Sequence, residues 1–304
     1  MPESAGRIRN RMRSSEAMKK KSLFIGWALV TLAAFGQPMR IVSTSPSITE
    51  TLFALGVGTR VVGVSTYCRY PPEVSRLPKV GTYARPDPEK IALLRPDLAI
   101  IHSGSATLSG RLTALGIRFV EVNQTSLSEV YVGIREIGRA AGATVQAERL
   151  VQNIRSRLDA IQGEAQGARK PSVLLLVGKD PGRLTNMIGA GPTAYLGELL
   201  EIAGGRNILA DSNLIPYPRI SLETVVRLDP DLILDASGMG DLKQDAQMMQ
   251  ERMREPWLQH KELSAVRNGR VVAITSEALV VPGPRVVDAV ELMRKPIREE
   301  SGGR

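Results

Sequence analysis

One segment of this chain recurs 134 residues downstream, and the recurrence limits the possible folds more than any other feature. Asp87-Pro88-Glu89-Lys90-Ile91-Ala92-Leu93-Leu94-Arg95-Pro96-Asp97-Leu98 is echoed by Ser221-Leu222-Glu223-Thr224-Val225-Val226-Arg227-Leu228-Asp229-Pro230-Asp231-Leu232. Each copy opens on a residue suited to cap a helix and places a glutamate two positions later. A proline seven positions after the glutamate lacks the N–H that another helical turn would need, so the helix ends there. Pro-Asp-Leu then runs into a short apolar stretch that reads as a buried strand. Two such units in 304 residues predict two similar lobes.

The surrounding sequence supports an α/β architecture. In the first half, strands are predicted at 40–43, 61–64, 98–101 and 118–122, and helices at 47–55, 88–94 and 107–115, with Gly56 and Gly116 as stops. Strands separated by helices at this spacing are joined by right-handed crossovers and lie parallel. The second half repeats the scheme, with strands at 173–177, 207–209, 232–234 and 271–274 and helices at 193–203, 222–228, 243–254 and 284–295. After a helix at 127–141 and a break at Gly142, residues 144–162 set Leu150, Ile154, Leu158 and Ile161 on one stripe at helical spacing. About 20 helical residues rise about 30 Å, enough to run the height of a domain. The expected fold is two small Rossmann-like three-layer lobes joined by one long, stiff helix, so closure between them should be small. The expected boundaries are 37–142 for the first lobe, 143–167 for the connecting helix, 168–298 for the second lobe and 299–304 for a disordered tail.

Charge distribution separates the N-terminus from the rest. Of the net charge of +9, residues 1–36 carry +5, from seven basic and two acidic side chains. The remainder holds no dense basic run, which argues against a nucleic-acid partner. Lys19, Lys20 and Lys21 precede an apolar stretch from Leu23 to Phe35, followed by Gly36. That layout predicts an export signal spanning 1–36, with Met18 a natural start, and hence a periplasmic location. An uncleaved membrane anchor is the alternative. No cysteine follows the apolar stretch, which disfavours a lipid anchor. Cys68 is the only cysteine; it excludes an internal disulfide and is expected to be partly buried.

The loops after the strands are where an open parallel sheet binds ligands. Here they carry Tyr67, Tyr70, Tyr83 and Tyr217. A tyrosine offers a flat apolar face and one hydroxyl, which suits a large planar or amphipathic ligand. Tyr70, beside Pro71-Pro72, is expected to pack on its own loop; Tyr67, Tyr83 and Tyr217 are the candidate contacts. His102 ends a strand where a ligand would lie and could hydrogen-bond it or coordinate a metal, although no second ligand stands at metal-binding spacing. Ser43, Ser45 and Ser47 precede a helix and could donate to an anionic group, Ser47 being the expected cap. Asp97 and Asp231 look structural. There is no Gly-x-Gly-x-x-Gly after the first strand, no phosphate loop and no evident base for a serine nucleophile. No catalytic residue and no resident cofactor are therefore assigned. An exported α/β enzyme or a sensor module remains the alternative from another class.

Arg40-Ile41-Val42-Ser43-Thr44-Ser45-Pro46-Ser47, Val61-Val62-Gly63-Val64-Ser65-Thr66-Tyr67-Cys68-Arg69-Tyr70-Pro71-Pro72 and Leu77-Pro78-Lys79-Val80-Gly81, with the paired glutamate segments, resemble the helical-backbone substrate-binding proteins of ABC importers for cobalamin, ferric siderophores and haem. The resemblance spans residues 39–296 and is closest to the cobalamin branch. It implies capture of a corrinoid or another metal chelate between the lobes by aromatic contacts matching Tyr67, Tyr83 and Tyr217; His102 stands where that branch often has an aromatic, and with Ser45 it completes the candidate ligand contacts. It also implies delivery by a monomer to an ABC permease dimer with its ATPase subunits, and a docking role for Glu89 and Glu223 against arginines of that permease. A ferric-siderophore or haem ligand is the alternative it allows.

Overall fold

Short apolar runs followed by amphipathic ones build the first half of the protein. The computed structural model describes residues 39–104, 106–211, 215–238 and 246–299. The expected export signal, residues 300–304 of the tail and residues 243–245 of the polar helix lie outside them. The first half runs β1 (Ile41–Ser43), α1 (Pro46–Ala54), β2 (Val61–Val64), α2 (Pro88–Leu93), β3 (Leu98–His102), α3 (Ala106–Ala114), β4 (Phe119–Val122) and α4 (Leu127–Ala140). All four strands are parallel, in the order β2-β1-β3-β4. The predicted boundaries differ from these by at most one residue, within the usual scatter of element ends.

The second half follows α5 (Thr144–Glu164) with β5 (Ser172–Gly178), β6 (Met187–Gly189), α6 (Tyr195–Ile202), β7 (Arg206–Asn207), β8 (Arg219–Ile220), α7 (Leu222–Leu228), β9 (Leu232–Asp235), α8 (Ala246–Arg254), α9 (Ser264–Arg267), β10 (Val271–Ala273), α10 (Glu277–Val280) and α11 (Val286–Arg298). Here the predicted repetition of the parallel scheme is only partly right. β10, β9, β5 and β7 pair in parallel, whereas β6 and β8 join antiparallel. Two- and three-residue strands hold too few side chains to show a period of two. α5 also runs through Gly163 to Glu164, beyond the predicted stop.

The repeated segments fold alike. Asp87 Oδ1 accepts the Lys90 N–H at 3.0 Å and Ser221 Oγ accepts the Thr224 N–H at 3.1 Å, capping α2 and α7. Each helix is followed by a left-handed non-glycine residue just before the proline, Arg95 with φ 45° and Asp229 with φ 38°. Each Pro-Asp then ties two strands together. Asp97 Oδ2 accepts the Arg40 N–H at 2.7 Å, while Asp231 Oδ2 accepts the Ser172 N–H and hydroxyl, both at 2.8 Å. The same carboxylate thus fixes the start of the first strand of each sheet to the strand after the helix, the structural role expected for both aspartates.

One apolar core runs through both lobes. It includes Ile41, Ile48 and Ile100 from the first, Val173, Leu175 and Leu234 from the second, and the α5 stripe of Ala147, Val151, Ile154, Leu158 and Ile161 between them. The stripe sits at helical spacing because α5 must bury one face against both lobes.

Candidate functional site

The carboxyl ends of the first sheet converge on a cleft. Ser45 lies two residues beyond β1, Tyr67 three beyond β2, His102 ends β3 and Gln124 lies two beyond β4. Val177 of β5, Tyr195 and Leu196 of α6, Tyr217, and Val280 to Pro282 close the cleft from the other side. Its volume is about 520 Å³, within the range of small-molecule sites. Tyr67, Tyr83, His102, Tyr217 and Ser45, named from the sequence, are all brought to this one cavity. Tyr67, Tyr83 and Tyr217 are 53%, 50% and 45% exposed, so about half of each ring is free to cover a ligand.

Local bonds set the orientation of these groups. The Tyr83 and His102 rings meet edge to face, centroids 5.6 Å apart at 88°. His102 Nδ1 lies 2.9 Å from the Ser103 carbonyl. A carbonyl oxygen only accepts, so Nδ1 is the donor in this contact. Among the described residues no three histidine, cysteine or acidic side chains group as a metal site. Ser45, rather than Ser47, caps α1: its Oγ accepts the Ile48 N–H at 3.4 Å, because Pro46 takes the first helical position with φ already fixed. Ser45 and Ser47 hydroxyls stand 3.1 Å apart.

Cys68, expected to be partly buried, is 2% exposed beneath the Tyr67 loop, with Sγ 3.1 Å from Thr49 Oγ1. Burial pushes its thiol up to about 11. Tyr70 leaves the cleft and lies over Arg285, whose Cζ is 4.3 Å from the ring centre.

Two ion pairs join the lobes around the cavity. Arg285 donates to both Glu50 oxygens, Nε at 2.8 Å and Nη2 at 2.5 Å. Glu50 is nearly sealed from water, and burial pushes its carboxyl above the usual range despite the guanidinium. Arg69 meets Glu277 at 3.2 Å and is the one cation lining the cleft among the described residues. The sequence signalled neither pair, since their partners stand 235 and 208 positions apart. It also missed Gln124 and Tyr195. Tyr195 is held in the wall because α6 approaches the preceding loop closely: a Cβ on Gly197 would stand 1.9 Å from the Gly191 carbonyl oxygen, which only glycine avoids.

Glu89 and Glu223 lie away from the cleft, exposed in the first turns of α2 and α7. Glu89 is paired with Arg111 on α3.

Residues 41–278 match the periplasmic binding protein family, and the chain belongs to it. Members of this family are non-enzymatic binding components of transport systems, and the chain is a substrate-binding protein of an ABC transporter. It is 34% identical over 269 residues, 86% of this chain and 80% of the relative, to an ABC transporter substrate-binding lipoprotein of Bacillus subtilis. It superposes on the crystal structure of the periplasmic vitamin B12 binding protein of Vibrio cholerae with a TM-score of 0.70 and 27% identity, covering 88% of this chain and 99% of that one. A periplasmic heme-binding protein of Roseiflexus gives 0.71 and 27%, covering 86% and 98%. No helix among the described residues is long and apolar enough to cross a membrane.

Proposed function

We propose that the cleft captures cobalamin or a related corrinoid in the periplasm and that Glu89 and Glu223 dock the loaded protein on a two-fold-symmetric permease. The observation carrying the ligand reading is the cavity lining. Three half-exposed tyrosine rings and a histidine face a space whose one lining cation, Arg69, is already engaged by Glu277. A ligand bearing several carboxylates would enter without a free positive partner, whereas a neutral, amide-rich macrocycle needs only ring faces and hydroxyls. The similarity to a vitamin B12 binding protein over nearly its whole length supports the same reading. The docking reading rests on equivalence: one exposed glutamate stands in the first turn of the same helix in each lobe, which suits a partner with two equivalent surfaces.

His102 favours haem as the second reading, because it lines the cavity with its Nδ1 turned to the Ser103 carbonyl, which leaves Nε2 as the ring nitrogen that could meet an iron centre. Calorimetric titration of the protein from Gln37 onward with cyanocobalamin, ferric haem and a ferric siderophore separates the two. One-to-one binding of cyanocobalamin tighter than the others supports the corrinoid; haem binding with a histidine-ligated Soret spectrum and silence toward cyanocobalamin refutes it. For docking, the Glu89→Ala/Glu223→Ala protein should keep its ligand affinity yet lose transport, and a loss of affinity instead would remove the glutamates from that role.

A further inference from the structure

Two polar side chains of the cleft wall are buried without a partner. Gln124, just past β4, is 2% exposed, and neither its Oε1 nor its Nε2 has a hydrogen bond among the described residues. Tyr195, at the first position of α6, is 3% exposed, and its hydroxyl is equally unpartnered. Buried amides and phenols are almost always satisfied, and those that are not call for an explanation such as a missing ligand. One lies in each lobe, and both line the same cavity.

Their surroundings hold them in place. The Asn123 side-chain oxygen accepts the Gln124 N–H at 3.0 Å, and Asn123 is in turn bonded to Glu129, the acid of the α4 capping box. The Gln124 side chain lies against Gly133 of α4, where a Cβ would stand 3.2 Å from its Cγ and 3.4 Å from its Nε2. Glycine at that helix position makes the room the amide occupies. Burial also pushes the Tyr195 phenol upward, so it remains a neutral hydroxyl across the working range of pH.

We infer that Gln124 and Tyr195 are the specificity-determining pair of the cleft, reading a primary carboxamide of the ligand. This rests on the corrinoid reading above. The chemistry follows from the donor and acceptor inventory. A glutamine amide presents one acceptor and two donors, and a primary carboxamide answers with the complementary set. A carboxylate in the same place has no donor for Oε1 and brings a charge into a wall with no free cation. The pair therefore selects amide over acid, a distinction that ring faces alone do not make. Because the polar atoms of the pair are buried, the ligand reaches them by a small widening between the lobes or a turn of the glutamine side chain.

The test uses cyanocobalamin and its three monocarboxylic acids, each made by hydrolysing one propionamide. Titrated into the wild-type protein, at least one acid should bind about 10- to 100-fold more weakly than the parent, the scale set by leaving buried polar groups mismatched. Gln124→Leu and Tyr195→Phe should each weaken parent binding by about tenfold, and Gln124→Leu should abolish the discrimination. Gln124→Leu removes two unsatisfied polar atoms and Tyr195→Phe one, so without ligand both variants should melt at or above the wild-type temperature. A purely structural role predicts the reverse, a lowered melting temperature with affinity unchanged, and would overturn the inference. Parent and acids binding alike to the wild type would overturn it while leaving the corrinoid reading intact. Silence of the wild type toward cyanocobalamin overturns both.

Discussion

The Glu50–Arg285 pair offers a quantitative test of how the lobes are held. Glu50 is on α1 and Arg285 caps α11, with side chains 3% and 18% exposed. Removing one partner leaves the other as an uncompensated buried charge, which costs about 3–5 kcal/mol. Arg285 keeps some solvent access and the Tyr70 face at 4.3 Å, so Glu50→Ala should lie near the lower end, about 3 kcal/mol. For a protein of this size that is a fall in melting temperature of about 6–12 °C. Replacing both by apolar residues, Glu50→Leu with Arg285→Met, should return stability to within about 1 kcal/mol of wild type, since desolvating two charges offsets most of their attraction. The pH dependence has a definite sign. Burial holds the Glu50 carboxyl above its unfolded value, so its contribution is full below the unfolded value and is lost as pH rises through the folded one. The advantage of wild type over Glu50→Gln should therefore shrink from acid toward neutral pH. Urea unfolding of wild type, Glu50→Leu, Arg285→Met and their double variant, with Glu50→Gln alongside at two pH values, decides it. A single variant costing under about 1 kcal/mol, or a double variant costing the sum of the singles, would show that the pair is not buried and coupled as described.

Two further outcomes follow from single groups. Desolvation pushes Asp231 up, but bonds from the Ser172 N–H and hydroxyl, with Arg169 and Arg206 nearby, outweigh it and hold the carboxyl below its usual range. Asp231→Asn should lose about 1.5 kcal/mol at pH 7, and because a depressed carboxyl stabilises only above its unfolded value, the deficit should vanish as urea unfolding is repeated in acid; a deficit independent of pH would contradict this. Cys68, buried and with its thiol raised to about 11, should react with iodoacetamide at pH 8 far more slowly than an unfolded thiol. Labelling of the native protein at the free-cysteine rate, followed by mass spectrometry, would place it at the surface instead.

The repeated Glu-Pro-Asp-Leu segments were legible because caps, prolines and apolar runs act over a few residues, and the Asp97 and Asp231 bonds complete what those local signals begin. The tyrosines and His102 were legible because a ligand cleft at the carboxyl ends of parallel strands follows from topology alone. Gln124 and Tyr195 were not. A glutamine after a strand and a tyrosine opening an apolar helix look ordinary until burial removes their partners. The pairing of Glu50 with Arg285 depends on how α1 and α11 meet, and nothing within either segment announces it. Ser45 rather than Ser47 caps α1 because Pro46 takes the first helical position, which places the cap two residues upstream of the expected one.

The continuity of the core has a consequence for how the protein comes into being. α11, about 245 residues downstream of β1, contributes Val286, Val287, Ala289, Val290, Met293 and Ile297 to the same apolar interior as that strand. A chain still being synthesised therefore has an interior open at one side however much of it has emerged, and neither half can settle into its final packing alone. Completion of the fold waits on the emergence of α11. A nascent chain of this kind stays loosely packed until α11 has emerged, the condition in which a polypeptide can still be threaded through a narrow pore.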